Sequence, residues 1–315
     1  MQPDAHPDGS TEAESRAPAA IRAQDLTKHY GDVEALVGLD LEVHRGEVFG
    51  FLGPNGSGKS TTIRTLLDEI RPTRGSATIL GMDTHRQSVE IRRHIGYVPG
   101  DLAMYPNLTG RDTLRFFANL RGGVDWGHVE QLAERLEADL SRKVGNLSTG
   151  NRQKVALIQA FMNRPDLLLL DEPNSGLDPL MQREFQNMMR EVVADGRTVF
   201  LSSHTLSEVE RVADRVGIIR HGELVAVEGV ASLRSKAIRR IELRFEGPVD
   251  SAPFEALAGA REVAATDGHL VLSFDGDMAA LLETATATGG LRDVATHEAD
   301  LEEIFLAYYH DEQVV

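Results

Sequence analysis

Gly53-Pro54-Asn55-Gly56-Ser57-Gly58-Lys59-Ser60 stands between an apolar run and a helical stretch. The run before it, Glu47-Val48-Phe49-Gly50-Phe51-Leu52, reads as a buried strand. The residues after it, Lys59 to Leu67, have helical character. Strand, glycine-rich turn and helix are the context in which this spacing forms a phosphate-binding P-loop. Gly53, Gly56 and Gly58 let the backbone of the loop, which also spans Pro54, Asn55 and Ser57, curl so that its N–H groups, which proline lacks, surround phosphate oxygens. The helix start adds the positive end of its dipole. Lys59 supplies a point charge for the outer phosphates. Ser60 offers a hydroxyl to magnesium, which prefers oxygen donors, and Thr61 extends the helix start towards the inner phosphate. The phosphates of a nucleotide, with Mg2+, are the expected occupant. The loop alone does not separate transporters, kinases, GTPases and helicases.

Downstream, Leu167-Leu168-Leu169-Leu170-Asp171-Glu172 ends an apolar strand in two acids. Carboxylates there are costly unless used or paired. Beside a P-loop, Asp171 is placed to hold magnesium through its water shell and Glu172 to orient or deprotonate a water. Further strands are expected at Ile21–Leu26, Leu39–Val43, Ala77–Leu80, Thr198–Ser202 and Val216–Ile219. Helices are expected at 153–162, 185–193 and 207–212, with 102–140 mostly helical. Apolar strands alternating with helices imply a largely parallel α/β sheet covered on both faces, with ligands at its strand ends. After about Val230 the texture changes to strands at 241–245 and 270–274 and helices at 278–287 and 301–309. This gives three segments: a disordered tail at 1–20, an α/β P-loop domain at 21–230, and a small α+β domain at 231–315.

The 315 residues carry a formal net charge of -16 and no cysteine. The acidic balance favours neither nucleic acid nor anionic lipid as partner. The lack of cysteine removes disulfides, thiol chemistry and cysteine-held zinc. No stretch approaches the roughly 20 apolar residues of a membrane span, and residues 1–20 lack the pattern of a secretory signal. A membrane role must therefore come through a partner.

Five further elements carry a family resemblance. Leu147-Ser148-Thr149-Gly150-Asn151 resembles the LSGGQ signature of ABC ATPases. Ser203-His204 resembles their switch histidine. Ser175-Gly176-Leu177-Asp178 resembles the loop that crosses between subunits. Lys28-His29-Tyr30-Gly31 resembles the aromatic loop that stacks on adenine, and Ile95-Gly96-Tyr97-Val98-Pro99 the approach to the Q-loop. The resemblance covers about Ile21 to Val230 and implies a P-loop ABC-ATPase domain with a helical subdomain. It implies a head-to-tail dimer, a homodimer or a pair with a related ATPase, in which each ATP lies between one P-loop and the other subunit's Ser148 and Gly150. Asp178 joins that interface, His204 holds or senses the γ-phosphate, and Tyr30 packs on adenine. Lys59, Asp171, Glu172 and His204 together favour ATP hydrolysis over a nucleotide-binding regulator without turnover.

Two departures stand out. Thr149 and Asn151 replace a glycine and a glutamine of the signature. Gly100 stands where the Q-loop glutamine is expected, leaving the neighbouring Asp101 as a candidate oxygen donor to the metal. The ending Asp300 to Tyr309 resembles the extension of drug- and antibiotic-exporter ATPases of the daunorubicin-resistance type. The reading is thus an exporter ATPase of drug-like, antibiotic or lipid-like molecules. It would work with polytopic transmembrane permease subunits at the cytoplasmic face of the cell membrane, with no nucleic acid. The alternative is a soluble ABC ATPase acting on ribosomes or DNA. Against it stand a single cassette and the absence of sustained heptads or metal-binding modules between Lys59 and Ser148.

Overall fold

The computed structural model describes residues 19–236 and 239–297. The described backbone forms two compact units, residues 19–204 with 217–224, and residues 205–216 with 225–236 and 239–297. Most of the expected N-terminal tail and the expected helix at 301–309 lie outside the described residues.

The first unit is built on two sheets. Strands β1 (Ala19–Tyr30), β2 (Val33–His44), β4 (Arg74–Ile79) and β5 (Met82–Asp83) form an antiparallel sheet in the order β2-β1-β4-β5. β1 begins at Ala19, slightly earlier than its composition suggests, because Ala20 and Ile21 are both fully buried. The second sheet contains β3 (Val48–Leu52), β6 (Ile95–Val98), β7 (Leu167–Asp171), β8 (Thr198–Ser203), β9 (Arg215–Arg220) and β10 (Glu223–Gly229), in the order β10-β9-β3-β8-β7-β6. β3, β8, β7 and β6 pair in parallel. All five residues of β3 and of β7 are buried, as a strand covered on both faces requires.

Helix α1 (Lys59–Leu66) joins the sheets. Its Ile63 and Leu66 share one buried cluster with Ile21 and Leu39 of the antiparallel sheet and with Phe51 and Leu169 of the parallel one. Phe49 stacks on Phe200 across β3 and β8, with ring centroids 5.9 Å apart. Phe51 also lies against Phe200, with ring centroids 5.3 Å apart, so the loop leaves a strand packed along its length.

The helical part is narrower than expected. Instead of a mostly helical 102–140, the chain forms α3 (Gly110–Leu120) and α4 (Trp126–Arg135), after a short α2 (Ser88–Arg93). Gly122 and Gly123, at φ +84 and +110, end α3 and turn the chain. Thr109 and Asp125 cap the two helices by accepting backbone N–H bonds. Helix α5 (Thr149–Phe161) then runs against β6, where a Cβ on Gly96 would meet the Ala160 carbonyl at 2.2 Å. Helix α6 (Pro179–Ala194) carries Phe185, Met188 and Met189 into the core.

The second unit holds α7 (Leu206–Glu210), α8 (Val230–Lys236) and a four-stranded antiparallel sheet. Its strands are β11 (Arg239–Phe245), β12 (Ala260–Thr266), β13 (His269–Phe274) and β14 (Leu291–His297), ordered β12-β13-β11-β14. Alternation puts Ile241, Leu243, Leu270, Leu272 and Phe274 on one face. They form a core with Phe254 of α9 (Ala252–Glu255) and Leu281 and Ala285 of α10 (Met278–Thr288).

Candidate functional site

The loop after β3 is shaped by close approaches that only glycine permits. A Cβ on Gly53 would lie 2.4 Å from the Ile219 carbonyl oxygen and 2.5 Å from Ser57 Oγ. Gly56 and Gly58 have φ of +81 and +113, in the region that L side chains disfavour. No side chain caps the start of α1, so its first N–H groups are left for an outside acceptor. Ser57 Oγ is buried without a hydrogen-bond partner, and Ser60 is exposed at the first turn of the helix. Lys59 is only 5% exposed. Its Nζ donates to the Gly53 carbonyl at 2.7 Å and the Pro54 carbonyl at 3.2 Å. The lysine thus fills its own loop with a charge that an anionic ligand would claim.

Parallel pairing of β7 with β8 sets Asp171 opposite Ser202. Ser202 Oγ donates to Asp171 Oδ1, and the carboxylate is 2% exposed. Its other oxygen faces Gly100, where a Cβ would stand 3.2 Å from Oδ2. Glu172 follows at φ +51, a left-handed conformation that costs a non-glycine residue roughly 1–2 kcal/mol. Strain of this sort gathers at functional sites. The turn places Glu172 Oε1 3.2 Å from Lys59 Nζ and Oε2 2.5 Å from His204 Nδ1. His204 follows directly on the end of β8. Lys59, Asp171, Glu172 and His204 therefore meet at the ends of three parallel strands.

The other expected residues form separate groups. Ser148 caps α5, its Oγ accepting from the Asn151 N–H at 3.2 Å. Gly150 packs against Gly176, whose carbonyl oxygen would stand 2.4 Å from an added Cβ. Asp178 caps α6 by accepting from the Leu180 and Met181 N–H groups, bonds that hold its pKa below the ordinary aspartate value, that from Met181 foremost. The signature residues and the 175–178 loop are thus one packed cluster. Tyr30 ends β1, 46% exposed, with Lys28 Nζ 4.9 Å above its ring. Asp101 is exposed in the loop after β6. Among the described residues no three His, Asp or Glu side chains gather to hold a metal, so Asp101 does not complete a carboxylate cage with Asp171 and Glu172.

The residues present nevertheless suit a phosphate-bound magnesium ion. Mg2+ keeps several waters and takes one or two protein oxygens beside those of phosphate. The Asp171 oxygen next to Gly100 and the exposed Ser60 hydroxyl are such donors.

Sequence reasoning missed three partners. Ser202, which orients Asp171, looks like an ordinary strand serine. Asn151 is used inside the chain, its side-chain amide bonding both the N–H and the carbonyl of Asp139 at 2.8 Å. That bond gives the asparagine in the signature a role in holding the helical arm. Gln153, buried, donates to the Pro173 carbonyl at 2.7 Å and ties α5 to the turn after Glu172.

Comparison with known proteins agrees with this geometry. The family described as ABC transporter matches residues 36–175. The chain is 40% identical over 211 residues to the probable multidrug ABC transporter ATP-binding protein YbhF of Escherichia coli (strain K12), a match spanning 65% of this chain and 36% of YbhF. It is 32% identical over 295 residues to Nod factor export ATP-binding protein I of Burkholderia thailandensis, covering 91% of this chain and 96% of that one. Among solved structures, the dimeric structure of MJ0796, a bacterial ABC transporter cassette, superposes with a TM-score of 0.62 at 26% identity, over 67% of this chain and 98% of the other. The chain belongs to the ATP-binding proteins of the ABC transporter family.

Proposed function

We propose that this chain is the ATP-hydrolysing subunit of an ABC exporter and works in a head-to-tail pair on separate membrane-spanning subunits. The observation that carries the catalytic reading is Glu172, held between Lys59 and His204 beside the buried Asp171. In this reading the P-loop from Gly53 to Thr61 binds the phosphates and Lys59 leaves its own carbonyls for them. Ser60 and Asp171 hold magnesium, which when bound neutralises developing charge on the phosphate oxygens. Glu172 takes the proton of the attacking water, with His204 fixing the carboxylate's orientation. Tyr30 offers its exposed ring to the adenine.

The dimer is supported by the packing of Ser148, Gly150 and Asp178 in a cluster of their own and by the likeness to a dimeric cassette. Ser148 and Gly150 then complete the site of the second subunit. A groove lined by Pro99, Leu102, Met104, Phe117 and Leu120 offers the membrane subunit a place to dock. Among the described residues no helix is long and apolar enough to cross a membrane. In this reading attachment to the cytoplasmic face of the membrane runs through that partner. Export is supported by the printed roles of the relatives, multidrug transport and Nod factor export. Residues 21–230 are the ATPase domain in this reading and 231–315 an accessory domain.

The test is affinity purification of the tagged chain from detergent-solubilised membranes of its host, with phosphate release from MgATP measured on the same material. A stoichiometric polytopic membrane protein and magnesium-dependent release are expected. Release without a membrane partner moves the chain to the soluble ABC ATPases, and absence of release removes the enzymatic reading.

A further inference from the structure

The start of α5 is tied down by the two residues in which its sequence departs from LSGGQ. Thr149 is engaged within the chain. Its hydroxyl accepts from Arg152 Nη2 at 3.2 Å, and the same guanidinium donates through Nη1 to the Leu147 carbonyl at 2.8 Å. The arginine therefore closes over the turn that carries Ser148. The Thr149 methyl lies against Gly176, 3.2 Å from where a Cβ of that residue would stand.

Asn151 makes the stronger tie. It is the third residue of α5, after Ser148 at the cap. A glutamine three residues after a capping serine forms a capping box, its side chain reaching back to the N–H of its own cap. Asparagine is one methylene shorter, and here it bonds outward. Its Oδ1 accepts from the Asp139 N–H and its Nδ2 donates to the Asp139 carbonyl, both at 2.8 Å. An amide paired with both polar groups of one residue fixes direction as well as distance. Asp139 is itself anchored. Its carboxylate accepts from the Ser141 N–H at 2.9 Å and from Ser141 Oγ at 2.6 Å. The next residue, Leu140, is buried, and its carbonyl accepts from the Arg111 N–H of α3 at 3.0 Å. Lys154, one turn along α5 from Asn151, donates to the Glu137 carbonyl at 3.4 Å. The loop after α4 is thus a fixed point between α3 and α5, and Asn151 is where α5 meets it. Ser148 and Thr149 remain exposed.

We propose that Asn151 is a positioning residue for the nucleotide of the second subunit, an inference that rests on the head-to-tail dimer proposed above. Asn151 does not touch that nucleotide. Through Asp139 it sets the direction of the first turn of α5, and with it Ser148 Oγ and the Gly150 N–H, which the paired subunit's phosphate must meet. Writing the glutamine back is therefore expected to weaken pairing, because the longer amide overshoots the Asp139 peptide.

The test is made in the full chain carrying Glu172→Gln, where ATP-bound pairs are expected to persist. Asn151→Gln and Asn151→Ala are added to it separately. Three quantities are read: the dissociation constant of a fluorescent ATP analogue at protein concentrations too low for pairing, the MgATP concentration at half dimerisation by light scattering, and the melting temperature. Binding to the chain's own P-loop is expected to be unchanged. Half dimerisation is expected to need about tenfold more MgATP in both variants, for the loss of two neutral hydrogen bonds. A purely structural asparagine lowers melting and leaves the dimerisation midpoint, measured well below melting, where it was. Dimerisation at the parent's MgATP concentration in either folded variant, or an equal loss of nucleotide binding by the unpaired chain, overturns the proposal while the dimer reading stands. Asn151→Gln pairing more readily than the parent also overturns it and makes position 151 a nucleotide contact. Asn151→Ala adds no bulk, so it answers if the glutamine variant does not fold. A parent that stays monomeric at saturating MgATP removes both readings.

Discussion

Glu172→Gln tests the arrangement at the strand ends. The substitution keeps the size of the side chain and removes its charge. Two consequences follow with opposite signs. Hydrolysis loses its proton acceptor, which is worth roughly 10²–10⁴ in rate. ATP binding gains, because Lys59 is no longer held by a carboxylate 3.2 Å from its ammonium. At an effective dielectric constant of about 20 the gross attraction across that gap is about 5 kcal/mol. Glu172 is 25% exposed on its side chain, and the glutamine retains a neutral hydrogen bond, so the net difference falls to about 1–2 kcal/mol. That corresponds to MgATP binding roughly 5- to 30-fold more tightly. The expected species at saturating MgATP is a persistent dimer. Titration with a fluorescent ATP analogue, phosphate release and light scattering on one preparation read all three effects. Unchanged or weaker nucleotide binding would refute the argument that Glu172 restrains Lys59. Hydrolysis above about a tenth of the normal rate removes Glu172 as the base, and a strictly monomeric variant counts against the dimer.

Gly150→Ala forces a Cβ to within 2.4 Å of the Gly176 carbonyl, so melting should fall by several degrees, for a cost of about 1–3 kcal/mol, and ATP-driven dimerisation should weaken with it. Arg135→Ala removes bonds to Glu184 and to both oxygens of Glu191, a partly exposed network worth about 1 kcal/mol. Arg135 holds the pKa of Glu191 below its ordinary value, so the stabilisation is present above the unfolded carboxylate pKa of about 4.3 and is lost as pH falls through the lower folded value. The melting difference between variant and parent should therefore be full at pH 7 and vanish in acid. A constant difference would assign it to packing instead. Asp101→Ala should reduce hydrolysis far more than ATP binding if Asp101 serves the metal, and unchanged hydrolysis removes it from the site.

The P-loop and the leucine strand were legible because each is a backbone constraint written in residue type. A strand buried on both faces must be apolar throughout, and a turn at positive φ selects glycine. Asp171 and Glu172 were legible for the same reason, as charges at the end of such a strand. The left-handed turn at Glu172 was not, because glutamate carries no preference that announces it and only the packed strands enforce it. The pairing of Glu172 with Lys59 joins residues far apart in sequence, and no local pattern records it. The break in the helical arm was visible in Gly122 and Gly123, but the apolar spacing on either side masked it. β12 and β14 were missed where exposed charges, Arg261, Glu262, Arg292 and Asp293, dilute the alternation on which strand reading depends.

Gly100 shows how a departure in sequence acquires meaning in space. As a residue it is only a missing glutamine. In the fold a Cβ at this position would stand 3.2 Å from Asp171 Oδ2, while Ser202 bonds the other oxygen. A side chain there would crowd the oxygen that the proposed magnesium site needs. The residue before it, Pro99, lines the groove offered to the membrane subunit. Groove and carboxylate are thus one peptide unit apart. A glutamine would link the two through a side chain that can swing. Here the link is backbone with a fixed φ at Pro99.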